Sequence, residues 1–564
     1  MASIYDKASL VMIPSGTKTS KIFSQKPVNG DGDFTFSRST AATRVNADGV
    51  IEKETQNLLR QSNNFNTTWV KNAGATLVSG QSGYDGSNDA WRINVTTTSN
   101  SGLYQYLSST SSGVNTISLY AKAGDINYIG FTDFAGSNWY IWFDLSNGTI
   151  ASQSGYIDSS ITDVGGGWYR LSMTSTDLVI FQIKPSSVAA NPSSSAGYIF
   201  IQDAQAEQGL VARDYIETTT TAVEGGITDN VPRLDYTDAS CPSLLLEPQR
   251  TNLSLQSEYF DVAPSVKDAS TIEVNGTTSP SGLDDACLFT ETTANDRHGF
   301  YQYITISAGA LTASIFTKEI DRRYIHFQSN ATGSGENSYV DLQDGSVVRE
   351  GSGWSLSTED YGNGWYRIKA TCTAVAGNKY FIWGVSQNGT TNSYAGSTSK
   401  DFTFYGFQLE AGSYATSYIP TYGSAVTRNG EGSSNSVANT TSRTYFLEGK
   451  RIADANFSSS SGFYAPNDNL NITFWSNNRL RFRFGGAINQ YYILAGDDFK
   501  IAVSYDGTDS KVFVNGQLAF TQTFDLANVT SIILSGNNGA VSYNQTLLFP
   551  TALTDQEAID LTTL

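Results

Sequence analysis

Trp142 and Tyr339 are the residues whose type and placement most suggest chemistry in this chain. Each is followed by an apolar residue that suits a core, Phe143 or Val340, so alternation along a strand turns Trp142 and Tyr339 to the opposite face. A flat ring exposed on a sheet can stack on a pyranose. The sugar C–H groups then sit against the π cloud, while nearby polar side chains satisfy the hydroxyls. Tyr140, Asp144 and Asp341 belong to the same expected surface, and Trp475, Tyr491 and Tyr492 form a similar set near the C-terminus. The competing reading is that these rings pack on another chain or a covering loop.

Other chemistry is sparser. The two histidines, His298 and His326, and the three cysteines, Cys241, Cys287 and Cys372, have no zinc-ligand spacing and make no disulfide framework. Asp497 with Asp498, and Asp506 with Asp509, could supply oxygens to calcium, the one cofactor the sequence raises; acidic turns also occur for turn geometry alone. There is no G-x-S-x-G elbow, no phosphate-binding loop and no H-E-x-x-H. The expectation is that the chain is not an enzyme and has no catalytic residues.

The elements that position these residues occur twice. Asn57–Ile216 recurs as Asn252–Ile419, with landmarks in the same order. Tyr104-Gln105-Tyr106 matches Tyr301-Gln302-Tyr303, and Asp163–Arg170 (DVGGGWYR) matches Asp360–Arg367 (DYGNGWYR). A duplicated unit of this size is a whole domain rather than a solenoid repeat. Trp168 and Tyr169 of the first GWYR point to opposite faces of a strand, and one of them is expected to fill the core. Short alternating stretches separated by Asn/Ser/Gly turns, such as Ser146-Asn147-Gly148 and Asp344-Gly345, indicate two-sheet sandwiches or jelly rolls.

Composition agrees. Charged residues are 16% of the chain and aromatics 12%, which suits exposed sheets with tight turns and neither helical bundles nor disorder. Net charge is −18 without a basic cluster, so neither nucleic acid nor an anionic membrane is an expected partner. The first residues lack a secretory pattern and no apolar run reaches membrane-spanning length, so synthesis in a cytoplasm without export is expected.

These readings divide the chain into an extended head at 1–56, a first repeat at 57–225, a lead-in strand plus second repeat at 226–428, a linker at 429–442 and a terminal domain at 443–564. In the last of these, Thr554-Asp555-Gln556-Glu557 is a capping box that opens a short helix.

The phrases Ile501–Gly516 (IAVSYDGTDSKVFVNG) and Leu547–Ile559 (LLFPTALTDQEAI) make the terminal domain resemble a laminin-G/concanavalin-A-like lectin. The duplicated unit resembles the carbohydrate-binding-module-like jelly rolls of tailed-bacteriophage virion proteins, through Asn57–Phe65 (NLLRQSNNF), the GWYR signature and Gln408–Pro420 (QLEAGSYATSYIP). The resemblance implies an all-β fold of tandem jelly-roll domains with a concanavalin-A-like end. It also implies residence in a virion, as a fibre or appendage that adheres to host-surface glycans. The head would meet other virion proteins, and a homo-oligomer, a trimer by analogy with fibres, would be held by β-domain contacts. The alternatives are a structural virion spacer without a ligand and, third, a glycan depolymerase.

Overall fold

The duplication is visible strand by strand. The computed structural model describes residues 4–72, 74–96, 101–107, 113–132, 140–176, 178–189, 196–237, 240–452, 462–465, 470–475, 479–485, 488–493, 497–536 and 539–564. Among these, helices occur only at Ile4–Lys7 and Asp555–Thr562, and the chain is all-β. Thr554 Oγ1 caps the second helix by accepting from the Glu557 amide, and the Glu557 carboxylate accepts from the Thr554 amide in return.

Each repeat is a sandwich of two antiparallel six-stranded sheets. In the first repeat one sheet runs Asp158–Gly165, Trp168–Thr176, Val114–Ala123, Gly197–Gln208, Ala90–Val95 and Thr76–Gln81. The facing sheet runs Thr149–Ser154, Tyr140–Asp144, Tyr128–Thr132, Ile180–Ser186, Leu103–Tyr106 and Val70–Lys71. The second repeat has the same order. One sheet runs Trp354–Asp360, Trp365–Ala374, Gly309–Lys318, Asp401–Ala411, Ala286–Glu291 and Ser270–Thr277. The other runs Val347–Arg349, Asn337–Asp341, Tyr324–Ser329, Gly377–Ser386, His298–Ile306 and Ser265–Asp268. Alternate residues of both sheets meet in one core per repeat. Leu119, Leu171 and Ile201 face Phe131, Phe143 and Phe181 in the first; Ile315, Ile368 and Phe404 face Phe300, Phe327 and Trp383 in the second.

The terminal sandwich is not a continuous segment, which corrects the division made from sequence. Residues 1–56 are not a separate extended head. Leu10–Met12 pairs with Val541–Phe549, and Phe34–Ser37 pairs with Gly432–Ser436, which lies in the expected linker and pairs in turn with Ser531–Ser535. Ser243–Leu246 adds a further strand against Val541–Phe549. Leu10, Met12, Ile22, Phe34, Phe36, Leu244 and Leu246 are buried in the same core as Tyr445, Ile501 and Leu534. The physical reason is the apolar alternation of Leu10/Met12 and Phe34/Phe36, which leaves a free strand with an unburied face. The repeats are thus insertions between strands of one sandwich, to which Leu10–Met12 and Phe34–Ser37 both belong.

Two buried ionic clusters join the units. In one, Arg233 binds Glu431 and Glu247, Arg38 shares Glu431, and Arg428 shares Glu247, with side chains almost wholly removed from solvent. Burial alone raises the Glu247 pKa, but Arg428 and Arg233 more than offset this and hold it at about 2. In the other, the hairpin Arg44–Val45/Ile51–Glu52, which precedes the first repeat, docks on the second. Ile51 enters a pocket of Ala286, Phe316, Trp365, Tyr405 and Tyr418, and Lys53 reaches Glu258 and Asp285. Burial opposes the Lys53 charge, while the Asp285 and Glu258 carboxylates hold its pKa above the ordinary value. The two GWYR tryptophans, Trp168 and Trp365, are both buried, Trp365 in the pocket that receives Ile51.

Candidate functional site

The strands that carry Trp142 and Tyr339 lie as expected, with Ile141, Phe143 and Val340 in the cores and Trp142 and Tyr339 facing outward. Outward is not exposed, however. Trp142 is 3% exposed and Tyr339 0%, so neither offers a ring to a ligand. Trp142 lies flat over its cross-strand neighbour Gly130, where a Cβ would come within 2.9 Å of the indole. Tyr339 lies against His326, its cross-strand neighbour, with ring centroids 5.6 Å apart. A large ring beside a glycine or another ring lies down across the sheet instead of standing out from it, which buries apolar area.

The acids placed beside these rings have structural partners. Asp144 Oδ1 accepts from the Ser146 amide at 2.9 Å and its hydroxyl at 2.6 Å, closing the turn. Asp341 is gripped by Arg323, whose Nε lies 2.6 Å from Oδ1. That grip holds its carboxyl below the usual range. Tyr140 is half-buried. In the terminal sandwich Tyr492 packs against the core, while the side chains of Trp475 and Tyr491 lie outside the described residues.

The calcium candidates are not brought together. Asp497 pairs with Arg451 at 2.6 Å, and Asp498 opens the strand Asp498–Tyr505. At the far end of that strand, Asp506 Oδ1 accepts from the amides of Thr508 and Asp509 at 2.9 and 2.8 Å, and Asp509 accepts from Thr523. An eight-residue strand at about 3.3 Å per residue keeps the pairs roughly 25 Å apart, so the four cannot share one ion. Among the described residues no group of three or more His, Cys, Asp or Glu side chains is arranged to hold a metal.

The duplicated Tyr-Gln-Tyr does turn rings to solvent, in both repeats. Tyr106 is 57% exposed and Tyr303 54%, and Tyr104 and Tyr301 are half-exposed beside them. Within each pair the ring centroids are 5.7 Å apart and the planes nearly perpendicular, at 89° and 90°. The valine paired with the first tyrosine, Val70 or Val266, is also exposed, so each repeat presents one apolar stripe at the same place. The intervening glutamines point inward and pin the strand. Gln105 exchanges two 2.8 Å hydrogen bonds with the Arg60 backbone; Gln302 donates to Gln256 O and Ser265 Oγ and accepts from Ser254 Oγ at 2.9 Å. In the second repeat Tyr380 stands 6.4 Å from Tyr303 at 85°, with Gln328 and Arg297 on the same sheet face. Sequence reasoning used Tyr-Gln-Tyr only as a landmark of duplication. The signal that could have marked it was two large rings on one face with a polar residue turned inward between them.

A polar cleft of about 300 Å³ lies between the second repeat, the docked hairpin and the terminal sandwich. Among its charges Lys369 pairs with Glu359 and Arg451 with Asp497, while its Arg44 pairs with Glu52 of the hairpin.

No family model and no curated protein matches this chain. Among solved structures, it is similar to the N-terminal CBM22-1–CBM22-2 tandem domain of Paenibacillus barcinonensis Xyn10C. The identity is 11% and the TM-score 0.22, over 63% of this chain and 98% of that one. A protein from Bacteroides ovatus, provisionally named as carbohydrate-binding, is 9% identical with a TM-score of 0.18 over 56% and 85% of the two chains. A mutant Trypanosoma rangeli sialidase displaying trans-sialidase activity is 10% identical with a TM-score of 0.20 over 92% and 98%. The last corrects the expectation that this chain is not an enzyme: with a sialidase among its structural neighbours, catalysis is not set aside. At these TM-scores none of the three assigns a ligand or a reaction.

Proposed function

We propose that this chain binds carbohydrate through the paired tyrosines Tyr104/Tyr106 and Tyr301/Tyr303, one platform per repeat. The observation that carries this reading is that both copies keep one tyrosine and one valine exposed, with a half-exposed tyrosine beside them, at the same place on the sheet. Tyrosine supplies an apolar face to a sugar ring and a hydroxyl at its rim. Two platforms on one chain favour a polymeric ligand, because the second contact is then intramolecular.

The resemblance of the repeats to tailed-phage virion proteins supports a finer reading, an appendage that adheres to host-surface glycans. The buried ionic clusters between units suit a stiff spacer, and that role is compatible with adhesion. The test is titration of the intact chain with oligosaccharides selected from a glycan array, first with calcium and then with a chelator. Saturable binding supports the proposal, and its loss on chelation would add a calcium role. A folded chain that binds no glycan and no host cell favours the spacer alone.

A further inference from the structure

Lys53 leaves the docked hairpin and carries its amine into the interior of the second repeat. Its Nζ lies 2.8 Å from Asp285 Oδ2, 3.0 and 3.2 Å from the two oxygens of Glu258, and 3.0 Å from the Tyr405 hydroxyl. Asp285 and Glu258 are both buried. Glu258 also accepts from Tyr405, Tyr418 and Tyr422 at 3.0, 2.9 and 2.9 Å, and Asp285 accepts from the Ser281 hydroxyl at 3.1 Å. Phe316, Trp365 and Ile51 close the apolar wall beside the cluster. An amine, a carboxyl in contact with it, a second carboxyl touching the same amine and a water-excluding surround form a complete set for one reaction.

We propose that this is a modification site, at which Lys53 Nζ and the Asp285 side-chain carboxyl condense to an amide, with Glu258 moving the protons. The ammonium first passes a proton through Glu258 to Asp285, leaving an amine and a carboxylic acid. The nitrogen lone pair attacks Asp285 Cγ and the C–N bond forms. Glu258 takes a proton from the nitrogen and gives it to the departing hydroxyl, the C–O bond breaks, and water leaves. Ammonium plus carboxylate become amide plus water, without redox change and with Glu258 returned to its starting state.

Three physical terms favour the reaction here. In water both ions are well hydrated and resist condensation, whereas burial penalises each of them and leaves the neutral amide less affected. Fixing the two groups in contact corresponds to effective concentrations of about 10⁵–10⁸ M in well-oriented cases. The three tyrosine hydroxyls keep Glu258 hydrogen-bonded once the ammonium is gone. The first repeat offers a comparison. Its corresponding aspartate, Asp89, accepts from the Gln202 side-chain amide at 2.8 Å and from the Ser87 hydroxyl, in place of an amine. The bond would join residues 232 apart and close a covalent loop around the first repeat.

The experiment is mass spectrometry of the intact, denatured full-length chain, followed by tryptic mapping. The expected result is a chain lighter than its sequence by one water, and a branched peptide joining residues 45–60 to residues 268–297, with cleavage after Lys53 blocked. Lys53→Met and Asp285→Ala should each restore the full mass, and Glu258→Gln should leave most of the chain unbonded. The wild-type measurement decides even if a variant fails to fold. Full mass with two linear peptides overturns the proposal. A water loss that maps to an Asp-Gly succinimide, with both peptides linear, overturns it equally.

Discussion

Arg233 and Glu431 lie 198 residues apart and meet in a fully buried ion pair. Arg233 Nε donates to Glu431 Oε1 at 2.8 Å, and its Nη2 donates to Oε2. Arg38 Nη1 donates to the same Oε1 at 2.7 Å. Arg38, Arg233 and Glu431 come from three separate parts of the chain, so this pair marks where the inserted repeats return to the terminal sandwich. Removing one member leaves a buried charge without its counter-ion, which typically costs about 3–5 kcal/mol. Arg233→Met should therefore lower the melting temperature of the terminal sandwich sharply. A melt unchanged from wild type would show that the cluster does not hold the units together.

Trp142→Ala tests whether that ring is core or contact. With 3% exposure and a slot above Gly130, its truncation should cost about 3–5 kcal/mol of first-repeat stability in denaturant unfolding. Tyr106→Ala, on an exposed ring, should stay within about 0.5 kcal/mol of wild type in the same assay. Equal effects of the two variants would reverse the assignment.

His326 makes the second repeat acid-sensitive. Burial depresses its pKa from 6.5 to about 4, with the Asn337 hydrogen bond opposing. The unfolded chain therefore binds this proton at a higher pH than the folded one. The stabilisation is complete above about pH 6.5 and is lost as pH falls toward 4, by roughly 3 kcal/mol. Unfolding midpoints of wild type and His326→Gln between pH 7 and 4 should converge as pH falls; a constant difference would refute this.

Asp203 acts in the opposite direction in the first repeat. Burial, with Asp89 and Asp85 nearby, raises its pKa to about 7, although the Tyr84 hydroxyl donates to it at 3.0 Å. Its contribution is complete below about pH 4 and is lost as pH rises through 7. Asp203→Asn keeps an acceptor for Tyr84 and tolerates the φ of 55° at this position. It should stabilise the chain by about 1–2 kcal/mol at pH 8 and by little at pH 4. Thermal melts at the two pH values measure the difference.

Much of this architecture was legible in the residues, for identifiable reasons. Alternation placed Phe143 and Val340 inward and Trp142 and Tyr339 outward, because the strand period is strictly two. What alternation cannot carry is the neighbour across the sheet. Gly130 opens the slot that buries Trp142, and His326 is the ring that Tyr339 lies on; both sit on a different strand. The exposed tyrosines were visible in duplicate, yet duplication alone reads equally well as core. The terminal sandwich was the hardest element to foresee, since Leu10 pairs with Leu548 and Phe36 with Ser433, and such distant pairings leave no local pattern. Lys53 falls in the stretch read as an extended head, and nothing near it in sequence points to its carboxylate partners, which sit in the second repeat.

The most direct test of the tyrosine platforms is binding of the wild-type chain and of the double variant Tyr106→Ala/Tyr303→Ala to a glycan array and to intact host cells. The predicted result is saturable binding by the wild type, weakened at least about tenfold in the double variant, with an unchanged melting curve. Equal binding by the two proteins would contradict the assignment of the ligand to these rings.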